Sequence, residues 1–179
     1  EAEYVFMNRI LGRERRETEQ RLAERLLGLQ QADGSWPLWA GGPGHLSNSI
    51  EAYFALKLTG LGADEPALRR ARDFILGQGG LARAGIFTRI WLSLFNEFPE
   101  AGLPAMPVEL VLLPPWFPIN IYRMSSWARG TVVPLTLLMA HRPEVRIPGS
   151  AAVSELWCGT PRPEDLADPG ADRRPACAS

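Results

Sequence analysis

The chain has 179 residues, 46% of them hydrophobic, and a formal net charge of −1. This length is sufficient for a domain with its own buried core. A near-zero net charge gives no electrostatic basis for binding nucleic acid, and Arg13, Arg15 and Arg16 alternate with glutamates as on a solvated helix face. We therefore predict no nucleic-acid partner.

The apolar spacing predicts an all-α chain. Residues 48–59 are apolar on most sides, as expected for a buried inner helix that begins at Ser47 or Asn48. Pro134 lies inside the last helix and is expected to bend it. The predicted helices span 1–11, 13–31, 48–59, 66–76, 86–98, a short 108–113 and 125–140.

Residues 30–36 form the pattern Q-x-x-x-G-x-W at the end of the second predicted helix. Gly34 suits the left-handed conformation that closes a helix, Trp36 can fold back on the last turn, and the Gln30 amide can bond free backbone groups. A plain helix end with a core tryptophan remains the alternative. A weak echo at 78–80 favours stacked helix hairpins, which would close into an α/α barrel.

The end of the chain differs in composition from the rest. Residues 148–179 are rich in proline and glycine and lack helical periodicity, which predicts a linker or a disordered tail. Residues 1–147 are accordingly expected to form one partial α/α-barrel domain.

Cysteine and histidine are sparse. Cys158 and Cys177 lie in the tail without C-x-x-C spacing, and His45 and His141 are far apart. This distribution predicts neither a disulfide framework nor a metal site, and it fits a cytoplasmic setting. No cofactor motif is present, so we expect no cofactor.

The sequence gives no sign of a segment that enters or crosses a membrane. It starts at Glu1 without an initiator methionine, and no basic region precedes an apolar run, so we expect no signal peptide. No stretch approaches the roughly 18 to 20 apolar residues that span a bilayer. Contact with a membrane surface remains open.

Several further blocks follow the first motif in a fixed order. They are 36–43 (WPLWAGGP), 48–57 (NSIEAYFALK), 78–80 (QGG), 87–92 (FTRIWL), 120–122 (NIY) and 126–133 (SWARGTVV). From Glu1 to about Pro143, this series resembles the N-terminal part of the bacterial squalene–hopene cyclases, which are class II terpene cyclases.

The resemblance implies an incomplete α/α barrel and a defined chemistry. In this family an aspartate of a D-x-D-D motif protonates squalene, which cyclises through carbocations to hopene or hopanol without metal or cofactor. That motif belongs to the C-terminal half and does not occur between Glu1 and Ser179. The chain also begins inside a family block. We therefore expect a fragment that is inactive without the missing catalytic domain.

The resemblance also assigns residues to the substrate cavity. Trp127 matches a cavity-lining aromatic residue that would stabilise a cation. Met124 and Val132 match the narrow part of the entry channel for squalene or a similar polyprenoid. Ordinary helix packing is the alternative for all three.

Three other positions match a network that holds water near the end of the cation cascade: Glu3, Glu51 and Trp91. The pattern of residues also favours a cavity role for Glu51. It lies on an otherwise apolar helix, where a buried carboxylate must be hydrogen-bonded or neutralised. Gly85 stands where some family members have an arginine, and Arg83 lies close to it in the sequence.

The family implies a monotopic protein on the cytoplasmic face of the bacterial inner membrane. Residues 111–117 (VLLPPWF) are a candidate membrane patch, because tryptophan favours the interface; a buried barrel loop is the alternative. A homodimer is left open. Two other functions also remain: another class II polyprenoid cyclase, and a non-catalytic helical binding module or gene remnant.

Overall fold

The computed structural model describes residues 1–13, 15–103, 107–141 and 145–159. These residues contain no strand, only an isolated bridge between Pro37 and Gly44, so the all-α prediction is confirmed. Short 3₁₀ turns connect the helices. The six α-helices are α1 (Ala2–Ile10), α2 (Arg16–Leu29), α3 (Leu46–Leu58), α4 (Pro66–Gly77), α5 (Ile86–Leu94) and α6 (Ser126–His141).

Two compact units can be distinguished, Glu1–Leu103 with Val145–Ser179 and Pro104–Glu144. In the first unit, α3 packs against α1, α2, α4 and α5. The predicted inner helix is confirmed, since most of its side chains are buried. Phe54 of α3 lies 5.3 Å from Phe6 and 5.1 Å from Phe95, measured between ring centroids. These rings join α1, α3 and the end of α5 in one aromatic core.

The Q-x-x-x-G-x-W pattern links three helices. The Gln30 Nε2 donates to the carbonyl oxygens of Gly34, at 3.0 Å, and Ala67, at 2.8 Å, so it joins the end of α2 to the start of α4. The indole Nε1 of Trp36 donates to the Leu26 carbonyl at 2.7 Å. That carbonyl belongs to the last turn of α2, where backbone acceptors lack helical partners. The predicted backbone contacts of Gln30 and Trp36 at a helix end are confirmed, but Gly34 does not close the helix, which ends five residues earlier at Leu29.

Two glycines allow chain segments to approach closely. Gly34 has a φ of +87°, and a Cβ placed there would lie 2.4 Å from the Arg70 carbonyl carbon and oxygen. Gly80, in the predicted echo of the motif, has a φ of +66°, and its Cβ would lie 2.4 Å from the Leu156 carbonyl oxygen. Each glycine is needed both for its backbone conformation and for the absence of a side chain.

Three helix boundaries differ from the prediction. α2 ends at Leu29 because Gln30 is already extended, with a ψ of 130°. The N-cap of α3 is His45, whose Nδ1 accepts from the Asn48 backbone N–H at 3.3 Å. Two residues after α5 ends at Leu94, Asn96 has a left-handed φ of 61°, so the helix does not reach residue 98. Periodic apolar residues continue beyond each helix and do not mark these ends.

Residues 149–159 belong to the first unit and pack against α3 and α4, which differs from the predicted linker or tail. Ala151, Val153 and Leu156 are almost fully buried. The Lys57 Nζ donates to the Ala152 carbonyl and pairs with Glu155 Oε1 at 2.5 Å. Apolar burial and this ion pair hold a segment that has no helical periodicity. Residues 160–179 lie outside the described part of the chain.

Cys158 is disulfide-bonded. The prediction that the chain has no disulfide framework therefore has an exception at this position. The sequence did not predict this bond, because its two cysteines lie near the end of the chain and have no recognisable spacing.

The second unit is described from residue 107 to residue 141. A 3₁₀ turn at Val108–Leu112 packs against α6, at the place of the predicted short helix. Pro134 lies inside α6 as predicted.

Candidate functional site

A cleft of about 440 Å³ opens in the first unit, between the start of α1, the end of α2 and α3. Glu3 and Glu51, which the sequence assigned to one water network, both line it. The remaining lining is largely apolar and comprises Glu1, Ala2, Leu26, Leu29, Trp36, Pro37, Leu38, Trp39, Ala40, Asn48 and Ala52. The cleft therefore combines apolar side chains with three glutamates, of which Glu3 and Glu51 are the predicted pair.

Glu51 is half-buried on α3 and accepts a hydrogen bond from Thr88. The Thr88 Oγ1 donates to Glu51 Oε1 at 2.6 Å, and Thr88 itself is 2% exposed. Burial raises the pKa of Glu51, the Thr88 hydrogen bond opposes this rise, and the nearby Glu3 charge adds to it. A carboxyl group in this environment stays protonated up to a higher pH than the carboxyl group of an exposed glutamate does.

Trp91 packs beside the cleft rather than among its lining residues. Its ring lies 5.9 Å from the ring of Phe6 and is tilted by 46°. On α5 it follows Thr88 by three residues, so both lie on one face of that helix. The structure thus brings Glu3 and Glu51 together in the cleft and places Trp91 in the adjoining aromatic core.

Thr88 is a site residue that the sequence interpretation missed. Its position on α5, three residues before Trp91, was the available signal. A helical threonine usually bonds its own backbone, and the pattern gives no hint of a partner 37 residues away.

Gly85, which matches the position of an arginine in some family members, contributes only backbone groups. Gly85 is the N-cap of α5, and its N–H donates to the Ser47 Oγ at 2.8 Å. Arg83 is exposed. Buried Arg89 donates to the carbonyls of Ala82 and Ala84 and is committed to the backbone. The hydrogen bond that Glu51 receives in this chain comes from a neutral hydroxyl.

The three predicted substrate residues belong to the second unit. Trp127, on the first turn of α6, is 79% exposed, so burial in the core of this chain does not account for it. Met124 precedes α6, Val132 lies in its middle, and both are half-buried. The roles of these three residues and of the water-network residues remain predictions.

Within the described ranges, no three His, Cys, Asp or Glu side chains come together in a way that could hold a metal ion. In the same ranges, no helix has the length and apolar character needed to cross a lipid bilayer.

The chain is similar to cyclases from bacteria and fungi. It is 43% identical over 157 residues to a squalene–hopene cyclase of Alicyclobacillus acidocaldarius, covering 88% of this chain and 25% of that protein. A squalene–hopene cyclase of Zymomonas mobilis is also 43% identical, with 87% and 24% covered. A terpene cyclase–glycosyl transferase fusion protein of Humicola fuscoatra is 46% identical, with 74% and 10% covered.

The chain therefore spans about a quarter of the length of the squalene–hopene cyclases that it matches. A family model described as the squalene–hopene cyclase N-terminal domain matches residues 1–177. With its all-α fold and its ordered motifs, the chain belongs to the squalene–hopene cyclase family and corresponds to the N-terminal domain of these enzymes.

Proposed function

We propose that this chain forms the N-terminal part of the reaction cavity of a cyclase that converts squalene into hopene or hopanol. The observation that carries this proposal is the cleft in which Glu3 and Glu51 meet among apolar walls, within a chain of this family. A hydrocarbon substrate requires a dry, shaped cavity, and a cation cascade requires a defined polar group where it ends.

The carboxylate pair would hold the water that ends the cascade. The Thr88 hydroxyl bonds Oε1 of Glu51, and Glu51 lines the cleft, where its carboxylate could accept a further hydrogen bond from water. Such a water can add to the final cation to give an alcohol or remove a proton to give an alkene. Glu51 would therefore govern the ratio of the two products.

Trp127, Met124 and Val132 would line the path of the polyprenoid. An aromatic face against a desolvated cation is worth about 2 kcal/mol, and Trp127 offers an uncovered face. The initiating acid would come from another part of the enzyme, because these 179 residues contain no D-x-D-D motif. That missing catalytic domain is the partner on which activity depends.

The second unit would contribute to contact with the cytoplasmic face of the membrane. Leu112 and Trp116 are 80% and 81% exposed, and both lie in the predicted patch. Exposed tryptophan and leucine side chains favour the headgroup boundary of a bilayer. This contact would give a lipid-soluble substrate direct access to the enzyme.

A second candidate is a cyclase that acts on another polyprenoid. The similarity to the Humicola terpene cyclase fusion protein favours it, because that protein is no less similar over the part it matches. Product analysis with squalene and with other polyprenoids distinguishes the two candidates.

The test of the proposed function is Glu51→Gln in the complete cyclase that contains this chain. The substitution removes the charge, and we expect a changed ratio of alcohol to alkene products by gas chromatography. Glu97→Gln is the matched control, since burial also raises the pKa of Glu97 but its carboxylate accepts from Val153 N–H, outside the cleft. An unchanged ratio in Glu51→Gln contradicts the water role.

A further inference from the structure

Thr88 donates its hydrogen bond outside its own helix, unlike three other helical serine and threonine hydroxyls. Ser93, Thr131 and Thr136 each donate to a carbonyl three or four residues earlier in their own helix. Thr88 instead donates across helices, from α5 to Glu51 on α3. Since α5 and α3 pack directly against each other, this bond fixes a side chain of one helix from the other.

The local backbone explains why the hydroxyl points away from its own helix. The carbonyl four residues before Thr88 belongs to Ala84, and the Arg89 Nε donates to it at 2.8 Å. The threonine hydroxyl is 2% exposed and needs a partner, because a buried donor without one is costly. The Glu51 carboxylate supplies that partner at 2.6 Å.

Few side chains other than Thr88 lie where they could affect the charge of the Glu51 carboxylate. The charged side chains that line the cleft beside Glu51 are Glu1 and Glu3, and the Glu1 carboxylate forms an ion pair with Arg25 of α2 at 2.6 Å. Asn48 of α3 is neutral, and α2 with the following loop contributes apolar side chains. The residues that line the cleft include no Lys, Arg or His. The Thr88 hydroxyl is thus the neighbouring side-chain donor that favours the ionised carboxylate.

We propose that Thr88 is a positioning residue of the water site: it orients the Glu51 carboxylate and thereby sets the ratio of alcohol to alkene products. This inference rests on the proposed function of Glu51. Thr88 does not contact the substrate. It holds Oε1 and thereby orients the carboxylate that lines the cleft, and its hydrogen bond opposes the rise in the Glu51 pKa that burial causes.

The experiment compares Thr88→Val and Thr88→Ser in the complete cyclase that contains this chain. Valine keeps the size and removes the hydroxyl. Loss of a hydrogen bond of about 1 kcal/mol predicts a product ratio changed about fivefold, in the same direction as in Glu51→Gln. Thr88→Ser restores the ratio. The pH at which the ratio changes moves upward in Thr88→Val, because the bond that lowers the Glu51 pKa is lost.

Ser47→Ala is the matched control, since its hydroxyl holds the start of α5 through Gly85 and has no bond to Glu51. A Thr88→Val change in a Glu51→Gln background is expected to have no further effect on the ratio. An unchanged ratio in Thr88→Val, beside a changed one in Glu51→Gln, overturns this inference alone. If Glu51→Gln leaves the ratio unchanged, both the inference and the water role fail.

Discussion

At the scale of single residues, Gly34 shows how the family motif depends on geometry. Its φ of +87° is disfavoured for any residue with a Cβ, and the Arg70 backbone occupies the place that a Cβ would take. Trp36 and Gln30, on either side, bond the backbone of α2 and α4. The motif therefore fixes the α2–α3 connection against the start of α4.

Gly34→Ala is expected to lower the free energy of unfolding by more than about 4 kcal/mol, because strain and overlap with backbone act together. Gly41→Ala is the matched control: its φ is +76°, but nothing lies within 4 Å of its Cβ position, so the cost is about 1 kcal/mol. Denaturant unfolding of the polypeptide that contains this chain measures both values. Equal effects at the two positions would contradict the close-approach explanation.

Trp127→Ala is expected to release incompletely cyclised products from the complete enzyme, because an intermediate cation loses an aromatic face worth about 2 kcal/mol. Mass spectrometry of the squalene products measures this. Leu137→Ala is the control, since Leu137 also lies on α6 and is 50% exposed. A product profile unchanged by Trp127→Ala would leave Trp127 without a role in cation stabilisation.

The sequence predicts residues better than it predicts their partners. Glu51 stands out because a carboxylate on an apolar helix needs an explanation. Its donor Thr88 does not, because a helical threonine usually bonds its own backbone. Here the Ala84 carbonyl already accepts a hydrogen bond from Arg89, and Thr88 donates to Glu51 instead. Long-range hydrogen bonds of this kind produce no periodic pattern in the sequence and so cannot be predicted from it.

At the scale of elements, α3 carries two separate tasks. Its Glu51 faces the cleft, and its Tyr53 and Lys57 hold the segment 149–159. The Tyr53 hydroxyl donates to Glu155 Oε1 at 2.7 Å, and the Lys57 ammonium pairs with the same oxygen. Burial and the Glu155 contact together raise the pKa of Tyr53. The segment is thereby fixed on the helix that also positions the carboxylate of the site.

Burial raises the pKa of Glu155, but the hydrogen bonds from Lys57 and Tyr53 outweigh it, so the pKa is lowered from its usual 4.5. The contacts of Lys57 and Tyr53 with Glu155 therefore stabilise the fold fully at a pH above this usual pKa. Their stabilisation is lost as the pH falls through the lower pKa of Glu155 in the folded protein. We expect hydrogen exchange at residues 153–156 to accelerate in that acidic range. At neutral pH, Glu155→Gln should accelerate it in the same way.

Glu24→Gln, on the exposed face of α2, serves as the control for this substitution. Equal exchange rates in Glu155→Gln and the wild type at neutral pH would show that apolar burial alone holds the segment.

Helices were predictable as elements, and their ends were less so. Apolar residues located the α-helices, most clearly where one face is buried, as α4 buries Leu68, Ala71 and Ile75. The apolar pattern extended α5 too far because Phe95 and Phe98 are buried although they lie beyond the helix. Residues 149–159 were missed since a segment held by a buried ion pair and 3₁₀ turns has no period to detect.

At the scale of the whole molecule, the chain leaves much apolar surface uncovered. The exposed large side chains include Leu38 and Trp39 in the first unit and Trp116, Ile119 and Trp127 in the second. Surfaces of this kind are normally covered by further protein or by lipid. The chain taken alone is therefore expected to self-associate and to bind a hydrophobic dye. A dilute monomer without dye binding would contradict this expectation.

The most direct test of the central claim is product analysis of a chimera. This chain replaces the aligned quarter of the Alicyclobacillus acidocaldarius cyclase, and the chimera and the chain alone each receive squalene. We expect cyclised product from the chimera and none from the chain alone, because the chain is proposed to supply part of the cavity wall and the water site but contains no D-x-D-D acid. Cyclised product from the chain alone, or a folded chimera that forms none, would contradict the central claim.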